Sequence, residues 1–90
     1  MVPHAAYHNS QQALRMNGVF VKLAPEDFQN LLNRNEGLAV VTTSTHFFGT
    51  TFTYVTSYKG LIFYCKTKSQ LSVSSKHELI LAQSVALPQT

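Results

Sequence analysis

The chain has 90 residues, enough for one small domain, and 44% of them are hydrophobic, an ordinary share for a globular protein. Only 12% are charged, about half the usual proportion, and the net charge of +3 reflects scarce acids (four) more than abundant bases (seven), which excludes a polybasic nucleic-acid tract. One cysteine excludes an intrachain disulfide, and no apolar run is long enough to span a bilayer, so a soluble, cytoplasmic protein is the expectation.

Residues 1–17 are polar, lack strand alternation and precede a second methionine at Met16. They read as a flexible N-terminal extension to a single domain over residues 18–90. His4 and His8 have the i, i+4 spacing that could hold two corners of a metal site on a helix, but no Cys, Asp or Glu lies in this segment. They are read as solvent-exposed tail residues, and no metal site is expected.

Val19–Leu23 reads as a short strand. A helix of about ten residues, near 15 Å long, follows it. Pro25 suits the first helical position, Glu26 and Asp27 face the positive end of the helix dipole, and Arg34 lies near the other end. Phe28, Leu31 and Leu32 share one face, Leu23 is placed to staple onto Phe28, and Gly37 is a natural stop. Ala24 is a poor N-cap. A helix this short is marginal alone, so it must pack on a sheet.

Leu38–Thr45 is rich in β-branched residues and reads as a strand, with His46–Thr50 a connection holding Phe47, Phe48 and Gly49. Thr51–Ser57 and Leu61–Thr67 form a hairpin with two competing registers. A two-residue loop of Lys59-Gly60 places Phe52, Tyr54, Tyr58, Leu61, Phe63 and Cys65 on one face but asks Lys59 for a positive φ. A turn over Tyr58-Lys59 with Gly60 as a bulge is easier for the backbone and makes both faces partly apolar. The bulge is the favoured reading, because two apolar faces agree with the low surface charge. Lys68–His77 is a polar loop, and Glu78–Leu87 alternates as a final strand that Pro88 stops. The fold class is α+β: one short helix on a curved, mainly antiparallel β-meander of four to five strands, or a small half-open barrel.

Chemistry-bearing residues are sparse. His46 sits at a strand end beside two aromatic residues, where functional loops occur, and His77 precedes the last strand. The four acids Glu26, Asp27, Glu36 and Glu78 are mostly helix-end residues, so no catalytic residue is expected. Cys65 lies inside a strand and reads as a small buried hydrophobe rather than a nucleophile. Phosphate-cradling glycine loops, zinc motifs and nucleophile elbows are absent, and no cofactor is expected. Aromatic residues near lysines raise a single-stranded nucleic-acid platform as an alternative, with Lys59, Lys66, Lys68 and Lys76 as phosphate contacts. Phe52, Tyr54, Ile62, Tyr64 and Lys66 form the candidate interaction surface. The function expected is that of a non-enzymatic domain acting by self-association, as a dimer, or by binding a protein partner on its sheet.

The order helix, LAVVTT strand, Gly49-containing connection, FTYVTS strand, YKG turn and LIFYCKTKS strand resembles the first half of flavin split-barrel proteins of the pyridoxamine-phosphate-oxidase type. That resemblance implies an FMN-binding protein as a further alternative, with Lys66, Thr67, Lys68 and Ser69 as the phosphate neighbourhood. The Gly-x-Pro common in the first turn of that family is absent here.

Overall fold

A computed structural model describes residues 19–81. The expected N-terminal extension, with His4 and His8, and the end of the final strand up to Pro88 lie outside the described residues. In chain order the elements are β1 (Phe20–Lys22), α1 (Pro25–Arg34), β2 (Gly37–His46), β3 (Gly49–Tyr58), β4 (Leu61–Thr67) and β5 (His77–Leu81). The helix forms where its local signals place it. Pro25 opens it, Glu26 and Asp27 occupy the first turn, Arg34 the last, and Ala24 supplies no side-chain cap. Phe28 and Leu32 are buried from it.

The five strands form one open sheet in the order β1-β4-β3-β2-β5. Its centre is the antiparallel meander β2-β3-β4, and its edges are parallel additions: β1 beside β4 and β5 beside β2. The fold is therefore α+β with a mixed sheet, and β1 and β5 remain as edges rather than closing a barrel. Helix α1 carries the chain from β1 across to β2, and residues 68–76 carry it from β4 to β5. Leu71 and Val73 of that second crossover pack on the same core as Phe28 and Leu32. Gln29 clasps the two crossovers together: its Nε2 donates to the Ser72 carbonyl (2.8 Å) and its Oε1 accepts from the Ser72 N–H (2.8 Å). Tyr54 reaches up from the sheet, its hydroxyl accepting from the Leu71 N–H at 3.0 Å. No helix among the described residues is long and apolar enough to cross a membrane.

The β3–β4 hairpin adopts the two-residue loop, not the bulge. Tyr58 pairs with Leu61, Tyr54 with Cys65 and Val55 with Tyr64, and Lys59 and Gly60 take φ of 51° and 81°. The reason is burial. This register puts Phe63 and Cys65 of β4 on the helix side together with Tyr54, Ala39 and Val41, and a one-residue slip would turn Phe63 and Cys65 outward. Forcing a lysine into the left-handed region costs about 1 kcal/mol, less than exposing a single buried aromatic residue. The Lys59 ammonium also lies 5.2 Å from the Tyr58 ring centroid. Lys59→Asn, which tolerates positive φ better, is expected to raise stability by roughly 0.5–1 kcal/mol with no change of register. Urea unfolding checks this, and a loss of stability would argue against the two-residue loop.

Phe28, Leu32, Ala39, Val41, Tyr54 and Cys65 make the helix-side core. On the opposite face Val40, Val55, Ile62 and Tyr64 are buried as well, with Phe20 edge-on to Tyr64 at 6.1 Å. At the helix C-terminus, buried Asn35 ties helix to sheet. Its Nδ2 donates to Thr56 Oγ1 (3.2 Å) and to the Ser57 carbonyl (3.0 Å), while Thr56 Oγ1 donates to the Leu38 carbonyl (2.7 Å).

Candidate interaction surface

Strands β2 and β3 are each ten residues long, but their neighbours cover only part of that length. β5 pairs with Gly37–Val41, and β4 pairs with Phe52–Tyr58. Beyond the Thr43–Phe52 pair, from Ser44 and Thr51 outward, the two strands have only each other, so the hairpin projects roughly 10 Å past the sheet at ~3.4 Å per residue. Cross-strand polar pairs brace it: Thr45 and Thr50 hydroxyls at 3.4 Å, and His46 Nε2 with Thr51 Oγ1 at 3.3 Å.

The turn consists of Phe47 and Phe48, since His46 pairs with Gly49. Gly49 takes the positive φ of 116°, which frees both aromatic residues to keep ordinary backbone angles. Their rings contact each other edge-on at 5.4 Å and are 95% and 80% exposed. Two neighbouring aromatic side chains exposed at the end of a projecting hairpin form the sort of apolar patch that marks an interaction site. No Asp, Glu, Lys or Arg occurs between Glu36 and Lys59, so the whole hairpin is free of formal charge.

At the foot of the hairpin, on the helix side, lies an open groove of about 350 Å³. Val41, Thr43 and Phe52 form its floor, Leu71 and Val73 one wall, and Leu79 and Leu81 the other. Leu79 and Leu81 are 49% and 71% exposed.

The five residues expected to share an interaction surface divide between the two faces. Tyr54 is buried toward the helix, and Phe52 is half-buried beside it at the groove. Ile62 and Tyr64 point away from the helix and are buried there, and Lys66 on their face is exposed. Tyr64 gives its ring to Phe20 rather than to an open stacking platform. Of the residues implied by the flavin resemblance, Lys66, Lys68 and Ser69 are exposed, and Thr67 Oγ1 accepts from the Ser69 N–H at 3.2 Å as the chain leaves β4.

His46 and His77 stand at opposite ends of β2, His77 opposite Gly37, which separates them by roughly 30 Å at ~3.3 Å per residue. They cannot share a site. His77 is buried, with Nδ1 3.2 Å from Ser74 Oγ and Nε2 without a partner. Ser74 also accepts from the Lys76 N–H (3.3 Å) and its carbonyl from the His77 N–H (3.0 Å), so the serine organises a turn into β5. Among the described residues, no three His, Cys, Asp or Glu side chains are grouped to hold a metal ion.

Cys65 is fully buried, and burial pushes its thiol above the ordinary range, with the Lys22 charge opposing this by less. A raised pKa in the folded state means that the stability tied to the neutral thiol is intact below the unfolded value, roughly 8.5, and is lost as pH rises through the folded value. The native chain is expected to resist alkylation by iodoacetamide at neutral pH, to react once unfolded in urea, and to lose stability on the alkaline side. Rapid labelling of the folded chain would contradict this.

Phe47 and Phe48, expected only as part of a connection, form the exposed hairpin tip. The available signal was a Phe-Phe-Gly between two Thr-rich strands, where glycine, asparagine or aspartate is usual at the turn. A scan of protein-family models finds no match to this chain, and neither the curated proteins nor the solved structures give one.

Proposed function

We propose that this is a non-enzymatic domain that acts by association, principally with a second copy of itself, through the uncharged β2–β3 hairpin. The observation that carries this reading is the pair of exposed, mutually contacting phenylalanines at the hairpin tip. A chain with few charges gains from covering such a patch, because apolar area removed from water contributes about 25 cal/mol per Å². The hairpin carries no formal charge, so a contact between two hairpins places no like charges directly opposite one another. A single buried cysteine fits a reducing, cytoplasmic setting.

Sedimentation velocity across the micromolar range tests this directly. The reading predicts a sedimentation coefficient that rises with concentration to a dimer plateau and changes little with salt. A monomer throughout would remove self-association as the function.

A further inference from the structure

We infer that the sheet face opposite the helix is a docking site for residues 1–18 of the same chain, which makes them part of the domain rather than an extension to it. Strand direction is the starting point. β1, β4, β2 and β5 all run the same way, and only β3 opposes them. The crossover from β1 to β2 through α1 and the crossover from β4 to β5 move across the sheet in the same direction. Crossovers between parallel strands are right-handed, so the two are held to one face. Phe28 and Leu32 of the first meet Leu71 and Val73 of the second there, on a single core. Among the described residues, no connection is left for the other face.

That face is nevertheless buried. Val40 and Val55, at its centre on β2 and β3, are 0% exposed, and Thr42, Thr53, Ile62 and Tyr64 around them are buried too. Successive strand residues alternate sides, so a side chain on this face is hidden only by what lies on this face. Phe20 covers the margin alone, edge-on to Tyr64. The buried stripe runs across β4, β3 and β2, about 10 Å, and from the level of Ile62 to that of Thr53, about 14 Å. One pass of extended chain, about 5 Å wide, does not hide it. Of the sequence, residues 1–18 and 82–90 remain. The shorter segment leaves from β5 and would cross Ile80 first, yet Ile80 is only half-buried and Glu78, on the same face, is exposed. Residues 1–18 are twice as long and enter the sheet beside the stripe, where the Val19 carbonyl accepts from the Ile62 N–H at 3.1 Å. They carry Tyr7, Leu14 and Met16 to set against the valines, with Arg15 their one charged side chain.

The inference is independent of the hairpin tip and holds for a monomer or a dimer. Its test is nuclear Overhauser contacts to the methyl groups of Val40, Val55 and Ile62 in the full-length, isotope-labelled chain. Contacts to side chains of residues 1–18 within one molecule are the expected result. Contacts to Ala82, Val85 or Leu87 instead would overturn it, by giving the face to the other terminal segment. Contacts seen only between labelled and unlabelled copies would overturn it by giving the face to a second chain, and open, solvent-exposed methyl groups would overturn it outright. A full-length Tyr7→Asp/Leu14→Asp variant adds a second reading. It is expected to unfold at lower urea and to bind more of an apolar dye than the wild type, as a newly exposed apolar face does, while Val85→Asp changes neither. A double variant as stable as the wild type would contradict the inference.

Discussion

Replacing Phe28 with alanine is expected to cost about 3–5 kcal/mol, the range for emptying a fully buried aromatic site. In a domain of this size that is a large part of the whole margin, so much of the variant population should be unfolded at room temperature. The consequence follows from where the side chain sits. Phe28 is the contact by which a helix too short to persist alone is held on the sheet, packed against Tyr54 with ring centroids 6.3 Å apart. Its loss also loosens the clasp on Tyr54, whose hydroxyl holds residue 71 of the second crossover. Urea titration followed by circular dichroism measures the cost. A loss below about 1 kcal/mol would mean that the helix does not dock where the structure places it.

Asn35→Ala is expected to cost about 2–3 kcal/mol although the side chain is small. The amide makes two hydrogen bonds to β3 from a position only 5% exposed, and its removal leaves the Ser57 carbonyl without that donor. Asn35→Asp sharpens the test through pH. A carboxylate there would face the Thr56 hydroxyl oxygen and the Ser57 carbonyl, both acceptors in the native network, in a desolvated position. Its folded pKa would be raised above the unfolded value of ~3.9, so the protonated form is the one the fold tolerates. The deficit of this variant should therefore be smallest at low pH and grow as pH rises through the folded pKa. A pH-independent deficit would show that the position is open to water.

The helix was readable because its signals are local: proline and acids at the start, three apolar residues on one face, arginine at the end. The meander strands were readable for the same reason, as β-branched runs bounded by glycines. The parallel edges were not. Nothing within Val19–Leu23 or His77–Leu81 states that the first joins β4 and the second β2, because those pairings depend on crossovers spanning the sheet. At the Tyr58-Lys59-Gly60 turn, burial of the helix-side β4 residues outweighs the backbone cost at one lysine, a balance that the turn residues alone do not contain. The register decides that Phe63 and Cys65, rather than Ile62 and Tyr64, join Tyr54 on the helix side. The candidate surface itself was only partly legible. Phe52 borders the groove, while Tyr54, Ile62 and Tyr64 are buried. The exposed tip at Phe47-Phe48 depends on β2 and β3 being longer than their neighbours, a comparison of strand lengths that no single segment contains.

Sedimentation of the wild type beside a Phe47→Ser/Phe48→Ser double variant addresses the central claim most directly, because both substitutions fall on side chains that support nothing else in the fold. Association through the hairpin predicts a wild-type dimer, a double variant that stays monomeric at the same concentrations, and identical unfolding curves for the two. A wild type that is monomeric, or a double variant that dimerises as well as the wild type, would contradict it.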